Sequence, residues 1–555
     1  MNEEENRMKV LLIPSSTLIP QEMRNRMGNI PTCLFPLQGR TMLERIYEKY
    51  RDHVDKIIVL LCKEKSKAIE YISLKKLPID IVEIDELKDL GYTIFCGMNS
   101  LRSEFPNIET VYINFADTLL SNSVDTTASD KVYYAKEYYS SSWTFFHHKH
   151  GVFSEIIDKK EMKSSGREGF AFTGVFEIVH IEEFTELLNN QKSGNIDSFY
   201  HVLQEYSTLF PFECILSGKW VDVGHSDRYF QAKTGVAARA FNSIDIDQER
   251  GRLTKRSDNK DKFLGEIKWY VRLPDQLKYI APRIYSYSLD WDNPYVTMEY
   301  YGYSTLHEKY VFGNLPDTIW RKIFQKIKFI MEDMGRYRVK ESDGDQKEAM
   351  KEIYIDKTIN RLKSLKKESL FFPFFENDIY INGIRYPSLN RIMEMIPDVI
   401  TKRIIEPTKN EFCIIHGDLC FSNILYEHDY YFIRVIDPRG EFGKYDIYGD
   451  QRYELAKLMH SIDGKYDFIT EDMFSVMVED NAISLRITEK ADRLYSIFKD
   501  VFSELLPQEN DLRLIESLLF LSMLPLHSDT VNRQFAMLAI GIKLFTQSSG
   551  IFISR

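Results

Sequence analysis

From residue 8 onward, short apolar runs alternate with amphipathic stretches. The apolar runs are KVLLIP, KIIVLLC and IDIVEI, and between them lie MLERIYEKYRD and KEKSKAIEYISL, in which apolar residues recur at helical spacing. Strands that alternate with helices of about 10–15 residues are typical of βαβ units. The pattern therefore predicts an α/β domain with a mostly parallel sheet. Similar runs follow at 110–115, 169–178 and 220–224, and we place this domain at residues 1–240.

A different pattern begins after residue 240. Residues 241–251 (FNSIDIDQERG) are polar and lack a clear period, which predicts a linker. Residues 252–303 then predict a small lobe of strand, helix and strands, in which IYSYSLDW and YVTMEYY form an antiparallel pair. From DTIWRKIFQKIKFIMEDM onward, apolar residues recur at helical spacing, which predicts a larger helical lobe over residues 304–555. A small sheet-rich lobe followed by a helical lobe is a recurring arrangement for holding a nucleotide.

Composition and charge narrow the range of functions. The 555 residues are 44% hydrophobic and 28% charged, as in ordinary globular proteins, and the net charge of −11 disfavours nucleic acid as the main partner. Six cysteines lack CxxC spacing and are interpreted as reduced thiols of a cytoplasmic protein. The longest apolar stretch, LLFLSMLPL, is about half of a membrane span, so we expect no membrane insertion. The apolar C-terminal helices fit a lobe core as well as a subunit interface, which leaves the oligomeric state open.

The C-terminal half contains the segments HGDLCFSN and, after a short apolar run, IDPRG. Phosphoryl transfer needs a carboxylate near the attacking hydroxyl group and oxygen ligands that hold Mg²⁺ on the phosphates. We expect Asp418 to orient or deprotonate the acceptor hydroxyl, and Asn423 and Asp437 to bind the metal. His416 is interpreted as a hydrogen-bonding residue of the loop. In the alternative interpretation, Asp418 and Asp437 are turn residues that end strands.

These two segments resemble the catalytic and metal-binding loops of the aminoglycoside phosphotransferase and choline kinase superfamily, which is related to protein kinases. The resemblance covers roughly residues 250–555 and implies a bilobal, protein-kinase-like α+β fold that uses ATP and Mg²⁺. It also implies that Lys255 contacts nucleotide phosphates. Glu266, on the helical segment KFLGEIKWYVRL, would position the ammonium group of Lys255. Arg256 and Lys262 are alternatives for this cation.

The same resemblance suggests a hinge between the lobes and an acceptor site. Met298, Glu299 and Tyr300 match the hinge whose backbone would pair with a purine, and an ordinary edge strand is the alternative. The acceptor would be a small hydroxylated molecule. An aromatic cage for an amino alcohol such as choline could come from four residues: Tyr445, Tyr448, Tyr453 and Trp320. Hydrogen bonds to a sugar could come from four others: Arg439, Glu441, Asp446 and Arg452. The absence of a Trp after Asp437 disfavours choline.

The N-terminal half has its own candidate site, at NFADTLL and WVDVG. Nucleotidyl transfer needs Mg²⁺ on the triphosphate while a phosphate monoester attacks the α-phosphorus, and Asp117 and Asp222 are the candidate ligands. Their setting, with IPTCLFPLQGRTML and FTGVFEI, resembles the sugar-phosphate nucleotidylyltransferases and phosphocholine cytidylyltransferases. This resemblance implies a Rossmann-like, GT-A-like mixed sheet and the use of CTP or another nucleoside triphosphate.

The first loop departs from that family pattern. Family members open with a Gly-rich loop that wraps the triphosphate, whereas here the first strand leads into PSSTLIPQEMRNRMG. Ser15 and Ser16 could donate to phosphate, and Arg24 or Arg26 could reach it, but the glycines that permit close approach are missing. The usual Pro-Lys is also replaced, by Pro-Thr at 31–32.

Together the two halves suggest consecutive reactions. A kinase would convert an alcohol to a phosphate monoester, and a nucleotidyltransferase would join that ester to a nucleotide. Fusions of this kind resemble bacterial enzymes that prepare activated donors for the decoration of surface polysaccharides. Two alternatives remain: a small-molecule kinase with a degenerate, nucleotide-binding N-terminal domain, and a non-catalytic nucleotide-binding scaffold.

Overall fold

A computed structural model describes eleven stretches of the chain: residues 7–105, 107–158, 166–190, 198–225, 228–229, 232, 242–339, 343–409, 412–488, 491–506 and 508–550. The chain divides into two compact units. The first comprises Met1–Gly235 with Phe312–Asn314, and the second comprises Val236–Val311 with Leu315–Arg555. The expected end of the first domain at residue 240, and residue 241 of the expected linker, lie outside the described residues.

The first unit is built on a mixed sheet. Its strands are β1 (Met8–Ser15), β2 (Pro36–Leu37), β3 (Arg40–Thr41), β4 (Lys56–Leu61), β5 (Asp80–Glu83), β6 (Ile108–Asn114), β7 (Thr118–Leu120), β8 (Lys131–Tyr138), β9 (Phe145–Lys149), β10 (Val152–Ile157), β11 (Glu168–Ile178), β12 (Glu213–Leu216) and β13 (Trp220–Asp222). The main sheet has the order β10-β9-β11-β6-β1-β4-β5, and β8 pairs with both β11 and β12. Strands β6, β1, β4 and β5 are parallel, whereas β11 runs antiparallel to its neighbours. The predicted α/β class is confirmed, and the parallel part coincides with the apolar runs.

Helices cover this sheet. They are Gln21–Met27, Met42–Tyr50, Lys65–Lys75, Leu90–Glu104, Ile181–Asn190 and Ser198–Leu209. Polar side chains start two of them: Thr41 Oγ1 accepts from Glu44 N–H, and Asp89 Oδ1 accepts from Tyr92 N–H. The central strand β1 is buried over Val10–Ile13, as expected for a parallel strand that is covered on both faces.

The second unit begins with a small antiparallel sheet. Its strands are β14 (Asn242–Asp247), β15 (Arg252–Ser257), β16 (Ile284–Ser288) and β17 (Tyr295–Glu299), in the order β14-β15-β17-β16, with the helix Lys260–Arg272. The predicted antiparallel pairing of the last two strands is confirmed. The linker prediction is wrong for β14, which pairs antiparallel with β15. In NSIDID, the sequence of β14, only Ile244 and Ile246 are apolar, and their alternation with polar residues is typical of an edge strand with one solvated face.

The remainder of this unit is mainly helical. The helices are Leu306–Val311, Asp317–Gly335, Asp343–Met350, Lys357–Leu365, Phe372–Glu376, Leu389–Ile400, Gln451–Ile462, Tyr466–Thr470, Ala491–Phe502, Glu509–Met523 and Val531–Ser548, with wider π-type turns at Lys351–Asp356 and Thr401–Ile405 and short 3₁₀ turns at Asp275–Ile280, Ser369–Phe371, Phe421–Asn423 and Leu524–His527. Short strands complete it: β18 (Ser304–Thr305), β19 (Ile379–Ile381), β20 (Ile384–Tyr386), β21 (Cys413–Ile414), β22 (Ile424–Glu427), β23 (Phe432–Val435), β24 (Tyr448–Gly449), β25 (Phe474–Glu479) and β26 (Ala482–Ile487). Helices Gln451–Ile462, Glu509–Met523 and Val531–Ser548 pack together, and they bury the apolar C-terminal segments in the core.

Two further expectations concern the whole chain. The six cysteines are free thiols, of which Cys33, Cys413 and Cys420 are buried and the other three are half-buried. Across the described stretches, no helix has both the length and the apolar character needed to cross a membrane.

Candidate functional site

In the second unit, one carboxylate accepts hydrogen bonds from the backbone of the loop after β21. Glu454, on the helix Gln451–Ile462, accepts the N–H of His416 at 2.9 Å and that of Gly417 at 2.8 Å. Gly417 has φ +79°, a conformation that favours glycine. Trp269 Nε1 donates to the carbonyl oxygen of Ile415 at 2.7 Å. The backbone that leads into Asp418 is therefore fixed by buried hydrogen bonds.

His416 is a buried connector between the two predicted loops. Its Nε2 lies 3.0 Å from the carbonyl oxygen of Ile436, which can only accept, so the proton is on Nε2. Nδ1 then accepts the N–H of Asp418 at 3.3 Å. Burial lowers the pKa of His416 to about 4, which keeps the ring neutral. These contacts correspond to the loop-holding role expected from the sequence.

Asp418 contacts a cation and an amide. Lys457 Nζ lies 2.8 Å from Asp418 Oδ1, and Asn423 Nδ2 donates to Oδ2 at 3.2 Å and to the Asp418 carbonyl at 2.9 Å. Burial alone would raise the pKa of Asp418, but Lys457 lowers it well below the usual range. Asp418 is therefore an ionised carboxylate in a fixed orientation. Lys457 was missed from the sequence, although it lies three residues after Glu454 on a helix already assigned to this region.

The metal-loop aspartate and the strand lysine meet directly. Lys255 Nζ, on β15, lies 2.9 Å from both carboxylate oxygens of Glu266 and 2.7 Å from Asp437 Oδ1. Lys255 and Glu266 are only 6% and 7% exposed, whereas the Asp437 side chain is 53% exposed. Burial opposes the charge of Lys255, but the two carboxylates raise its pKa above the usual value. Lys255 and Glu266, which the resemblance pairs, are thus in contact with each other, and Lys255 also contacts Asp437.

Asn423 and Asp437 lie at the open end of the hairpin β22–β23. Ile424 pairs with Val435 in this hairpin, and the next hydrogen bond joins Ile436 N–H to the Asn423 carbonyl at 3.0 Å. One amide oxygen and one exposed carboxylate are a suitable donor set for Mg²⁺, which prefers oxygen and takes its other ligands from phosphates and water. Within the described stretches, no group of three or more His, Cys, Asp or Glu side chains could hold a metal by itself.

The expected hinge begins inside β17: Met298 and Glu299 are the last two residues of this strand, and Tyr300 follows it. Met298 pairs with Leu253 and with Ile284. The N–H of Glu299 donates to the Arg283 carbonyl, and that of Tyr300 donates to Gly251, both at 2.9 Å. These two N–H groups are therefore engaged within the protein. A purine would need other backbone groups of this segment.

Most candidates for an aromatic cage lie in the core. Trp320, Tyr445 and Tyr453 are 6%, 5% and 2% exposed. Trp320 stacks on Phe421 with a centroid separation of 5.7 Å. Because a cage must present open ring faces to a cation, the structure offers no support for choline recognition by these rings.

The four sugar-binding candidates have three different sets of contacts. Arg452 pairs with Asp450 at 2.8 Å and donates to Thr408 Oγ1 at 2.7 Å. Asp446 forms an ion pair with Arg272. Arg439 is the candidate nearest the catalytic loop: its N–H donates to the His416 carbonyl at 2.9 Å. Glu441 lies 3.9 Å from Arg439 Nε.

In the first unit, the two predicted metal ligands converge. Strands β7 and β13 pair antiparallel, with Asp222 opposite Thr118, and Val223 N–H donates to the Asp117 carbonyl at 2.9 Å. A Cβ placed on Gly224 would lie 2.7 Å from Asp117 Oδ2 and 3.0 Å from Asp222 Oδ1. The two carboxylates therefore flank Gly224, where a larger residue would not fit. Two adjacent carboxylates are a suitable donor set for Mg²⁺ with a triphosphate.

Three donors surround the Asp222 carboxylate. Trp143 Nε1 and His225 Nδ1 each lie 2.8 Å from Oδ2, and Gly224 N–H donates to Oδ1 at 2.7 Å. Burial alone would raise the pKa of Asp222, but these hydrogen bonds and the His225 ring lower it. Trp143 and His225 were missed from the sequence. The motif WVDVGH could have indicated His225 by its spacing, whereas Trp143 is 79 residues away.

The residues proposed to wrap the triphosphate have internal partners. Ser15 Oγ accepts the N–H of Cys33 at 3.0 Å, and Ser16 Oγ bonds to Thr93 Oγ1 at 2.9 Å, with both serines buried. Arg24 donates to the Ile19 carbonyl at 2.6 Å. Arg26 lies on the same short helix, Gln21–Met27. Because these side chains are already bonded within the protein, a phosphate group would have to bind to backbone N–H groups or to an arginine that changes its conformation.

Comparison with known proteins finds partial matches. No family model matches. The bifunctional protein GlmU of Methanococcus maripaludis is 24% identical over 200 residues, which are 35% of this chain and 46% of that protein. The chain thus spans about half the length of the curated relatives it matches.

Two kinds of solved structure also match. CTP:phosphocholine cytidylyltransferase LicC from Streptococcus pneumoniae matches 41% of the chain over 98% of its own length, with 13% identity and a TM-score of 0.34. An aminoglycoside-3'-phosphotransferase of type VIII matches 51% of the chain over 94% of its own length, with 11% identity and a TM-score of 0.30.

Proposed function

We propose that the chain is a bifunctional enzyme, which phosphorylates a small hydroxylated metabolite with ATP and then joins the phosphate ester to a nucleotide. The observation that carries the proposal is the meeting of Lys255 with Glu266 and Asp437, at 2.9 and 2.7 Å. Chance placement of surface residues does not account for a buried lysine bonded to two carboxylates, one of them 182 residues away.

The kinase reaction follows from the charges around Asp418. The acceptor hydroxyl would donate to this ionised carboxylate, which orients it for in-line attack on the γ-phosphate and takes its proton. Lys255 would neutralise the nucleotide phosphates, with Glu266 holding its ammonium. Asn423 and Asp437 would hold Mg²⁺, which lowers the negative charge of the phosphates when bound. The products are ADP and a phosphate monoester.

The nucleotidyl transfer would occur in the first unit. Asp117 and Asp222 would hold Mg²⁺ on CTP or another nucleoside triphosphate. An oxygen of the phosphate monoester would attack the α-phosphorus, and pyrophosphate would leave. Trp143 and His225 keep Asp222 oriented and ionised. The product would be a nucleotide-linked donor, and we infer a role in bacterial surface polysaccharide decoration and a cytoplasmic location from the resemblance of the two motif sets.

Detection of both products by mass spectrometry tests the proposal. The purified chain is incubated with Mg²⁺, ATP, a second triphosphate (CTP or UTP) and a pool of small alcohols and sugars. We expect a nucleotide-linked product that requires both ATP and the second triphosphate. Lys255→Met should remove the phosphate monoester, while Lys363→Met, an exposed lysine of the same unit, should not.

A second candidate is favoured by the internal partners of Ser15 and Ser16: a kinase whose first unit binds nucleotide without turnover. A phosphate monoester without a nucleotide-linked product, whichever triphosphate is supplied, would support that candidate. Nucleotide binding with neither product would leave only a scaffold, and would refute the kinase.

A further inference from the structure

Beside Asp418, the second unit gathers four cationic side chains from three segments. Lys457 and Tyr453 lie four residues apart on one face of the helix Gln451–Ile462. Lys457 pairs with Asp418, and Tyr453 OH accepts from Arg439 Nη1 at 3.1 Å. Arg439 also lies against the catalytic loop, because a Cβ on Gly417 would be 2.8 Å from its Cβ. Arg439 is thus fixed next to the reacting carboxylate.

The remaining two cations come from the helix Lys357–Leu365. Lys357 and Arg361 are one turn apart and share a face. The preceding turn is tied to the same helix as Lys457, because Tyr354 OH donates to Asp450 Oδ2 at 2.9 Å and the rings of Tyr354 and Tyr453 are 6.2 Å apart. Arg361 Nη1 donates to the Ser522 carbonyl at 2.8 Å, which holds its guanidinium group in place.

The surroundings of Lys357 hold more positive than negative charge. In the stretches that the structure describes, no hydrogen bond or ion pair engages its ammonium group, although the side chain is half-buried. The charges that act on it are Arg439, Arg361 and Lys457, all positive, and Asp418, which already pairs with Lys457. Burial and these like charges lower the pKa of Lys357 to about 6. A buried cluster of like charges is unfavourable unless an anion joins it.

We propose that the kinase acceptor is an anionic alcohol, whose carboxylate or phosphate group binds to Lys357, Arg361 and Arg439. The inference rests on the proposed kinase reaction, because Asp418 marks where the acceptor hydroxyl must lie. The arginines supply planar, bidentate donors for such a group, and Lys357 supplies a point charge. Neutral sugars and choline lack the group that these cations require.

Binding by calorimetry tests the acceptor class without requiring turnover. The full chain, saturated with Mg²⁺ and ADP, is titrated with glycerate, glycerol 3-phosphate and glycerol, which share a carbon skeleton and differ in charge. We expect one or both anions to bind and glycerol not to bind. Lys357→Met should weaken anion binding about tenfold or more, and Lys363→Met, an exposed lysine on the same helix, should leave it unchanged. Equal binding of glycerol, or no loss in Lys357→Met, would overturn the proposal.

Two further measurements distinguish binding of the acceptor from binding of the γ-phosphate, and a preference for anions from the kinase activity itself. If the cluster instead binds the γ-phosphate, Lys357→Met will weaken the binding of a non-hydrolysable ATP analogue relative to that of ADP. The affinity for glycerate will then be unchanged, and this result would overturn the acceptor assignment. Phosphorylation of neutral and anionic alcohols with equal kcat/KM would keep the kinase and refute the anion preference. Anion binding without phosphorylation of any anionic alcohol would refute the kinase and leave an anion-binding site.

Discussion

The two units differ in what their predicted site residues contact. In the second unit, Lys255 bonds to both Glu266 and Asp437, and Asn423 bonds to Asp418. In the first unit, the two carboxylates proposed to bind a metal converge on Gly224, but the segment expected to wrap the triphosphate bonds to its own domain. Carboxylates placed by paired strands follow from the fold, whereas a phosphate-wrapping loop depends on its own glycines. A fold can therefore retain the carboxylate pair when the glycine-rich loop has changed.

The largest expected effect concerns the general base of the second unit. Asp418→Asn removes the charge that receives the hydroxyl proton, and we expect phosphoryl transfer to fall by about 10³-fold, since general base catalysis contributes about 10²–10⁴. Nucleotidyl transfer to a supplied phosphate ester should be unchanged. ADP release and pyrophosphate release are measured on the same preparation. Asp480→Asn, an exposed position of the same unit, is the control. Full kinase activity in Asp418→Asn would contradict the assigned role.

The corresponding change in the first unit is Asp222→Asn. It removes one of the two carboxylates at Gly224, and we expect pyrophosphate release to fall by about 10²-fold while phosphoryl transfer is kept. Asp117→Asn should behave alike, and Asp52→Asn, an exposed position, should have no effect. If the wild-type chain releases pyrophosphate and both variants retain the full rate, the metal site has been placed wrongly.

Much of the fold was predictable because apolar runs mark buried parallel strands. The runs KVLLIP and KIIVLLC became β1 and β4, which are paired in parallel. The antiparallel strands β8, β9 and β10 were not predicted, since polar residues interrupt them: β9 is FFHHK. Strand β14 was missed for the same reason, because an edge strand needs apolar residues on one face only.

The candidate site was predictable where each residue lies next to a motif, and less so where it depends on packing. Asp418 and Asp437 follow strands that local sequence marks, and Asn423 directly precedes one. Lys457 and Trp143 reach their aspartates only through tertiary packing. Sequence spacing alone does not define such contacts.

A smaller effect concerns Ser15, in the segment of the first unit that was expected to wrap the triphosphate. In Ser15→Ala, the N–H of Cys33 loses its buried acceptor, and we expect the free energy of unfolding of this unit to fall by about 1–3 kcal/mol. The KM for the nucleoside triphosphate should change by less than about threefold, because the hydroxyl is already engaged. Denaturant unfolding and pyrophosphate release are compared with Ser73→Ala, an exposed serine. A large rise in KM with unchanged stability would instead show that Ser15 binds phosphate.

The smallest effect is a proton taken up with the anion in the second unit. The pKa of Lys357 is about 6, lowered by burial and then by Arg439, Arg361 and Lys457, so its amine is mostly neutral at pH 7. A bound carboxylate favours the charged form, and binding of glycerate should therefore take up as much as about one proton per site and weaken as the pH rises from 6 to 8.

Three neighbouring groups keep their charge state over this range, whereas burial raises the pKa of Glu454 to about 7, and the comparison with Lys357→Met separates any proton that Glu454 takes up. Pairing with Asp418 raises the pKa of Lys457 despite its burial, Asp418 has a depressed pKa, and burial keeps the pKa of His460 well below its usual value. The number of protons taken up is obtained from calorimetry in buffers of different ionisation enthalpy. Lys357→Met should abolish the uptake, whereas Lys363→Met should retain it. Equal uptake in Lys357→Met would show that another group takes up the proton. The contrast between an anion-binding site in the second unit and a carboxylate-lined site in the first would then lose this support.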